Sequence, residues 1–347
     1  MLNLDKLVKI FLNREQSNMS SIELKLSIII PTLNGVGRIE ECLASIAGQD
    51  FKRENYEIIL VDDESEDETV EVCKSLGVDK ILVSGKRDIE ASKALGIEAA
   101  EGQFLLFIDD DNRLVSESWL SEGVKILNSD LDIGGVESAY FNYQKGDTPA
   151  NRYCSLIGAV DPVVFYLKRT AQLPIYQKEW LGDCSECVDE GKYFKLRFLE
   201  KAVPAIGSGF LTRSTLVRDF PYSGRFLHMD FCEFISKTKG NSFAITKDSI
   251  VHNHCLTVSN FVKKCKRNGR IYLQDEGTRN YSYDLTFKRK IVLAAICLTL
   301  VVPIYDAIRG FRKRPDWAWF IHPLVSFWVF TVYVKLFISN RARSVMS

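Results

Sequence analysis

Residues 104–112 read Phe-Leu-Leu-Phe-Ile-Asp-Asp-Asp-Asn, an apolar run that ends in three consecutive carboxylates. The apolar part, 104–108, is typical of a strand that is buried on both faces of a parallel sheet. Asp109, Asp110 and Asp111 would follow the carboxyl end of that strand, where open α/β sheets bind their ligands. Neighbouring carboxylates repel one another unless a cation neutralises them, and oxygen ligands suit Mg²⁺ or Mn²⁺, which also bind phosphate oxygens. A solvated acidic turn is the alternative that this stretch alone leaves open.

The stretch belongs to a repeating pattern of strand and helix signals in the first 130 residues. Strands are predicted at 26–30, 56–61, 80–83 and 104–108, and helices at 38–47, 67–76, 89–100 and 116–127. Such repeats predict an α/β fold with a mainly parallel sheet and flanking helices. No Gly-x-Gly-x-x-Gly follows the first strand, which disfavours the dinucleotide-binding version of this plan.

Composition narrows the class of protein. The 347 residues can form one large α/β domain and an appendage. Lysine plus arginine and aspartate plus glutamate both number 45, so no net charge favours nucleic acid as a partner. The nine cysteines, an odd number, predict reduced thiols and a body that faces the cytosol. The single Cys184/Cys187 pair is too small for a closed zinc site, and residues 1–25 lack the features of a secretory signal.

Both ends of the chain carry membrane signals. Residues 1–24 have apolar side chains at helical spacing, which predicts an amphipathic helix on the membrane surface or against the body. Residues 286–347 contain two apolar segments, 291–305 and 317–338. The second segment would form about 33 Å of helix, enough to cross a hydrocarbon core of about 30 Å.

The topology of the tail remains open. Basic clusters flank both apolar segments, so a simple two-span hairpin conflicts with the positive-inside rule. A re-entrant or in-plane helical pair removes the conflict, because all basic clusters can then meet the cytosolic headgroups. A buried helical hairpin is the alternative. We predict C-terminal membrane-associated helices with the catalytic domain on the cytoplasmic side.

Three predicted strand ends carry polar residues: 31–34 (Pro-Thr-Leu-Asn), 62–65 (Asp-Asp-Glu-Ser) and 109–111. In a doubly wound sheet these ends converge on one crevice. A nucleoside diphosphate bound there would place its base against the first two ends and its metal-bridged phosphates against the third.

These motifs resemble those of glycosyltransferase family 2, of GT-A fold. The resemblance includes Ser27-Ile-Ile-Ile before the first motif and Phe107-Ile before the third. The resemblance is strong over 26–130, moderate over 200–270 and absent in the tail. It implies a nucleotide-sugar-binding half at 25–130, an acceptor-binding and catalytic half at 131–285, and an inverting, metal-dependent transfer.

The resemblance assigns roles to single residues. Thr32 and Asp62 would contact the nucleobase, Asp109 the ribose side, and Asp111 the divalent metal, Mg²⁺ or Mn²⁺. The residues assigned to nucleotide binding are Pro31, Thr32, Asn34, Asp62, Lys93, Asp109 and Asp110, with Lys86 or Arg87 as alternatives to Lys93. The metal ligands assigned are Asp111, Asp109 and His254, and a structural histidine is the alternative for His254. Leu33, Gly35 and Glu64 depart from the family pattern, so UDP is favoured but not fixed.

The second half must supply the general base. Residues 226–234 occupy the place of the family's catalytic acid, with Asp230 at the base position. Glu233, one turn further, would orient the acceptor or act as the base instead, and a helix N-cap is the alternative role for Asp230.

The predicted protein is therefore a membrane-associated, inverting glycosyltransferase that adds a single sugar. Its predicted partners are a nucleotide-diphosphate sugar, the membrane surface and a membrane-bound acceptor such as a polyprenyl-linked saccharide or a polyprenyl phosphate. The absence of a Gln-x-x-Arg-Trp motif disfavours a processive synthase. A metal-dependent nucleotidyltransferase and a catalytically inactive, membrane-anchored nucleotide-binding module are the alternatives.

Overall fold

The computed structural model describes residues 25–144, 146–198, 203–204, 206–207, 209–238, 241–281 and 285–346. The predicted helix over 1–24 lies outside the described residues. The described chain divides into two compact units: a first unit of 25–139 and 184–251, and a second unit of 140–183 and 252–346. Residues 140–183 and 252–285 therefore belong with the C-terminal helices, whereas the sequence assigned them to the catalytic half.

The strands are β1 (Leu26–Thr32), β2 (Tyr56–Asp62), β3 (Lys80–Val83), β4 (Phe104–Phe107), β5 (Asn112–Leu114), β6 (Ile133–Asn142), β7 (Glu186–Asp189), β8 (Tyr193–Arg197), β9 (Phe210–Arg213) and β10 (Ser242–His252). The α-helices are α1 (Arg38–Ala47), α2 (Thr69–Ser75), α3 (Ile89–Ala99), α4 (Trp119–Ser129), α5 (Pro149–Ile157), α6 (Pro162–Tyr166), α7 (Ser214–Asp219), α8 (His228–Lys237), α9 (Val258–Gln274), α10 (Phe287–Thr299), α11 (Val301–Lys313) and α12 (His322–Met346).

The first four strands form the parallel part of the sheet, in the order β3-β2-β1-β4. Every residue of β1, β2 and β4 is buried, as expected for strands covered by helices on both faces. The predicted strands are confirmed. The register places Thr32 opposite Asp62, so β1 and β2 end at the same level.

The flanking helices also agree with the sequence, although α4 begins at Trp119 rather than at 116. Helix α1 buries Ile39, Cys42, Leu43 and Ile46, one apolar stripe at helical spacing. Helix α3 packs closely on the sheet through Gly96, where an added Cβ would lie 2.5 Å from Ile29 Cγ2. A larger residue at this position would push the helix away from β1.

The remaining strands make the sheet mixed. β9 pairs antiparallel with β4 and with β6, and the order continues through β10, β8 and β7, with β5 beside β10. The parallel arrangement that the sequence predicts is thus confined to the first half of the sheet. This topology places the segment before β9 and the start of α8 in the same unit as the carboxyl ends of β1, β2 and β4.

The second unit is helical, with a core that includes Tyr153, Phe261, Trp319 and Val325. Among the described residues, the stretch Trp317–Arg341 alone is long and apolar enough to cross a membrane by itself. Helices α10 and α11 meet at an angle of 67°. The break is at Leu300, whose φ of 61° is left-handed. These findings rest on length and composition, so membrane attachment stays a prediction.

Candidate active site

The loops that follow β1, β2 and β3 are hydrogen-bonded to one another. The backbone N–H of Asn34 donates to Ser65 Oγ at 2.8 Å, and the backbone N–H of Glu66 donates to Asn34 Oδ1 at 2.8 Å. Asp63 Oδ1 accepts the backbone N–H groups of Lys86 and Arg87 at 3.1 and 2.7 Å. The three loops therefore form one continuous rim at the carboxyl edge of the sheet. Asn34, predicted to bind nucleotide, contributes to this rim through both its backbone and its side chain.

Thr32 and Asp110 form a buried pair that we call the Thr32–Asp110 latch. Thr32 Oγ1 donates to Asp110 Oδ2 at 2.7 Å, and Arg38 Nη2 donates to the same oxygen at 3.1 Å. Burial raises the pKa of the Asp110 carboxyl, and the bonds from Thr32 and Arg38 oppose that rise. The latch explains why residue 35 is a glycine, because a Cβ at this position would lie 2.2 Å from Asp110 Oδ2. Thr32 and Asp110, which the sequence predicts to contact the nucleotide, thus contact each other in this structure.

Asp62 is held by its own turn. Its carboxylate accepts the backbone N–H of Ser65 at 3.0 Å and the hydroxyl of Ser65 at 2.5 Å, and the residue is 3% exposed. Glu64 within this turn has a φ of 65°, which is uncommon for a residue other than glycine. Pro31 is buried in β1 opposite Val61. The base-binding roles of Asp62 and Pro31 stay predictions.

Asp109 and Asp111 are half-buried, on either side of the buried Asp110. Asp111 Oδ1 accepts from Asn112 Nδ2 at 3.3 Å, and the Asp109 carbonyl accepts the Asn112 backbone N–H at 3.0 Å. Two carboxylates of this kind are a usual protein contribution to a Mg²⁺ site that substrate phosphates complete.

The described residues contain no group of three His, Cys, Asp or Glu side chains that could hold a metal ion. The metal-ligand roles of Asp111, Asp109 and His254 stay predictions. His254 lies in the second unit, where its ring packs against His252 and Phe261 at centroid distances of 5.1 and 5.9 Å. The carboxylates of Asp109 and Asp111 fit a metal ion whose other ligands are diphosphate oxygens, and they do not form a closed protein cage.

Lys93 is buried on α3, with 7% of its surface exposed. Its Nζ lies 3.5 Å from Glu90 Oε1, one turn earlier on the same helix. Burial would lower the pKa of Lys93, but the charges of Glu90 and Asp109 raise it above the ordinary value. The role of Lys93 in nucleotide binding stays a prediction. Arg87, the alternative, is an exposed residue that pairs with Glu66 at 3.3 Å.

The two candidate bases lie on α8 and differ in their surroundings. Asp230 is the third residue of the helix and is 3% exposed. A carboxylate in the first turn interacts favourably with the helix dipole. Its alternative role as N-cap is wrong, because Leu227 is the N-cap residue. Glu233 Oε1 pairs with Lys237 Nζ at 3.1 Å, so its carboxylate is already engaged on the helix surface.

Sequence reasoning missed Glu137, which is 1% exposed on β6. Its two carboxylate oxygens accept the backbone N–H of Gly207 at 3.1 and 3.3 Å, which fixes the position of Gly207. A glutamate inside the apolar strand Ile133–Asn142 was the available signal.

His228 was also missed. Its ring lies against Phe107, Phe210 and Phe226, and neither ring nitrogen has a hydrogen-bond partner among the described residues. Burial lowers its pKa well below the ordinary value, so the ring is neutral.

Comparisons with known proteins agree with this geometry. The sequence model described as "Glycosyl transferase family 2" matches residues 27–183, which include all three strand ends. Glycosyltransferase AglE of Haloferax volcanii is 31% identical over 138 residues, which are 38% of this chain and 44% of AglE. A GalNAc(5)-diNAcBac-PP-undecaprenol beta-1,3-glucosyltransferase of Campylobacter jejuni is 38% identical over 98 residues, 26% of this chain and 31% of that protein. The chain thus matches less than half of the length of either relative.

A solved structure supports the fold over nearly the whole chain. The mannosyltransferase PcManGT of Pyrobaculum calidifontis superposes with a TM-score of 0.51 and 15% identity, covering 96% of this chain and 95% of that one. At this identity the likeness concerns the fold, a mixed sheet with flanking helices. The family match covers the residues that form the strand-end rim, so residues 27–183 carry a glycosyltransferase family 2 region, and the described fold is a mixed α/β sheet of GT-A type.

Proposed function

We propose that this chain transfers a single sugar, with inversion, from a nucleotide-diphosphate sugar to a membrane-bound acceptor. UDP is the favoured nucleotide, and the acceptor is a polyprenyl-linked saccharide or a polyprenyl phosphate. The observation that carries the proposal is the hydrogen-bonded rim at the ends of β1, β2 and β3, next to the half-buried carboxylates of Asp109 and Asp111. Ligands of open α/β sheets bind at such an edge.

On the donor side, Asp109 and Asp111 would hold Mg²⁺ or Mn²⁺ together with the diphosphate. The bound ion would neutralise the negative charge of the leaving diphosphate. The Asp62–Ser65 turn and Asn34 would form the base side of the crevice, and Lys93 would lie beside the ribose-side carboxylate of Asp109. The mannosyltransferase PcManGT binds GDP-Man and Mn²⁺, which supports a nucleotide-diphosphate sugar and a divalent metal here.

On the acceptor side, Asp230 would remove the proton of the attacking hydroxyl. Proton transfer by a positioned carboxylate accelerates such a step by about 10²–10⁴-fold. Asp230 is favoured over Glu233, because the resemblance places Asp230 at the position of the family's base. An acceptor phosphate is already ionised near neutral pH and needs no base, so the effect of an Asp230 variant depends on the acceptor.

The membrane assignment rests on the second unit. Large apolar side chains are exposed on its C-terminal helices, including Phe287 (79%), Val301 (67%) and Trp317 (75%). Arg309 and Lys313 line a cleft of about 240 Å³ on α11, where basic groups can meet lipid phosphates. The name of the Campylobacter jejuni relative includes an undecaprenol-linked acceptor, which supports a lipid-linked acceptor here. We therefore propose a membrane-associated protein whose catalytic unit faces the cytoplasm.

The test is transfer by the full chain in lipid nanodiscs. UDP-hexoses and UDP-N-acetylhexosamines are supplied with Mn²⁺, together with a polyprenyl phosphate or a polyprenyl diphosphate-linked saccharide, and products are identified by mass spectrometry. We expect one sugar to be added, with the opposite anomeric configuration to the donor. Asp230→Asn should abolish transfer to a hydroxyl and retain donor binding, whereas the control Glu122→Gln, at a half-buried residue of α4, should behave as wild type. Products that carry a nucleotidyl group, or retained turnover in Asp230→Asn with a hydroxyl acceptor, would overturn the corresponding part of the proposal.

A further inference from the structure

We propose that the second unit binds the phosphate group of a single lipid molecule, in the cleft between the segment 176–179 and α11. The proposal deepens the proposed function, on which it rests, because it names a binding site for the headgroup of a lipid-linked acceptor. The strand-end motifs and the family match, which ends at residue 183, assign no role to α11.

The walls of the cleft are held by packing and by hydrogen bonds. Tyr176 packs on the buried Trp319, with the ring centroids 5.8 Å apart. Trp319 packs in turn on Gly310 of α11, where an added Cβ would lie 2.5 Å from the indole ring. On the opposite wall, the backbone carbonyl of Gln177 accepts the Tyr140 hydroxyl at 2.7 Å. The cleft is therefore part of the folded second unit.

The cleft has the size and the charge that a phosphate group requires. Its volume is about 240 Å³, whereas a cavity needs only about 10–15 Å³ to hold one water molecule. Three cations and one carboxylate are among the lining residues, which are Tyr176, Gln177, Lys178, Glu179, Arg309 and Lys313. The helix dipole favours Lys313 at the end of α11, but it does not account for Lys178, which comes from a separate segment.

The positive charge of the cleft lacks a counter-ion from the protein. Asp316 pairs with Arg152 at 3.1 Å, and Asp306, three residues before Arg309, accepts the Tyr166 hydroxyl at 3.2 Å. Within the part of the chain that the structure describes, none of the three lining cations forms an ion pair with a carboxylate. A phosphate group can supply the missing charge, since a guanidinium binds two phosphate oxygens at once and ammonium groups add point charges.

The approach to the cleft along α11 is apolar, which favours a lipid phosphate over a free phosphate. Four exposed residues follow one another at four-residue spacing, namely Val301, Tyr305, Arg309 and Lys313. Residues four apart are neighbours on the surface of a helix, so the stripe changes along its length from apolar to basic. Val301 is 67% exposed and Tyr305 is 62% exposed. Because α11 rises by about 12 Å between Arg309 and Val301, a phosphate in the cleft can continue into an apolar chain that lies along this stripe.

The test compares two anionic lipids at equal surface charge. The full chain, without nucleotide sugar, is bound to phosphatidylcholine vesicles that contain polyprenyl phosphate, a phosphate monoester, or phosphatidylglycerol, a phosphate diester, adjusted to the same zeta potential. The preference is the ratio of the two affinities. Arg309→Gln and Lys313→Gln each remove one charge from the cleft. Arg312→Gln is the matched control, because Arg312 is exposed on the same helix and does not line the cleft.

We expect the wild type to prefer polyprenyl phosphate by about tenfold, the size of one charge-assisted hydrogen bond. Arg309→Gln and Lys313→Gln should each reduce this preference to about twofold or less. Arg312→Gln should weaken binding to both kinds of vesicle alike and keep the preference, because it removes only general attraction to an anionic surface. Free inorganic diphosphate at the concentration of the lipid phosphate should leave the preference intact, because it has no apolar chain.

The proposal is overturned if the wild type shows no preference, or if the two cleft substitutions leave the preference unchanged. It is also overturned if Arg312→Gln lowers the preference as much as Lys313→Gln, or if free diphosphate abolishes it. The measurement needs no sugar transfer. A chain that shows the expected preference but transfers no sugar would therefore support the lipid-phosphate site and count against the proposed function alone.

Discussion

The Thr32–Asp110 latch gives a quantitative prediction about the strand ends. Asp110→Ala removes the buried hydrogen bond from Thr32 and the bond from Arg38. A hydrogen bond to a charged group contributes about 1.5–3 kcal/mol, and an ion pair with a partner as exposed as Arg38 adds at most about 1 kcal/mol. The Thr32 hydroxyl, 5% exposed, would lose this partner. We therefore expect Asp110→Ala to lower the local free energy of unfolding by about 2–3 kcal/mol.

Hydrogen exchange measures this change locally, which matters in a chain with two units. At about 1.4 kcal/mol per factor of ten, exchange of the peptides that contain 27–33 and 104–110 should accelerate by about 30–100-fold in Asp110→Ala. Asp110→Asn keeps an acceptor for Thr32 and removes the cost of burying a charge, so its exchange should stay within about tenfold of wild type. An equal acceleration in both variants, or none in Asp110→Ala, would refute the latch.

The pH dependence of the latch has a definite sign. Burial raises the pKa of the Asp110 carboxyl above its ordinary value, so the folded state binds its proton more readily than the unfolded state. The contribution of Asp110 to the free energy of unfolding therefore falls as pH rises from the ordinary pKa of a carboxyl through the raised pKa of Asp110. The full cost of burying the ionised carboxylate is present at neutral pH. Relative to Asp110→Asn, the wild type should gain protection on acidification through that window. A loss of relative protection there would contradict the assigned direction.

Three further predictions concern stability, thiol chemistry and the membrane. Glu57, 2% exposed, accepts three donors at 2.6–2.9 Å. Glu57→Ala should therefore lower the urea midpoint by the equivalent of about 3 kcal/mol, and an unchanged midpoint would refute the buried network. Burial raises the pKa of Cys73 to about 12, so iodoacetamide at about pH 8 should modify the exposed Cys187 and leave Cys73 intact, as read by mass spectrometry. Val301→Glu on α11 should reduce binding to anionic vesicles, whereas Leu131→Glu, at an exposed apolar residue of the first unit, should not; equal binding by both would count against membrane contact through α11.

The sequence predicts the first half of the fold well for a physical reason. Runs such as 26–30 and 104–108 are fully apolar because both faces of those strands are covered, and the turn and helix signals between them are local. The pairing of β9 with β4 and β6 depends on contacts between distant residues, which no local pattern encodes. The antiparallel half of the sheet therefore could not be predicted from local sequence patterns.

The candidate site, like the fold, is predicted by the sequence only in part. The motifs predict which residues lie at the strand ends, but they do not predict the direction of each side chain. Thr32 and Asp110 contact each other across β1 and β4, and Glu137 meets Gly207 from a strand far away in sequence. Such contacts require the assembled fold.

The central claim, that the strand-end carboxylates bind a nucleoside diphosphate through a divalent metal, is tested most directly by calorimetry. UDP and GDP are titrated into the solubilised full chain with Mn²⁺, with Mg²⁺ and without metal, and the titrations are repeated with Asp111→Asn and with Asp132→Asn, an exposed carboxylate away from the rim. We predict metal-dependent binding of UDP that Asp111→Asn weakens by more than about tenfold and that Asp132→Asn leaves unchanged. Failure of both nucleotides to bind with either metal, or equal binding by Asp111→Asn and the wild type, would contradict the claim.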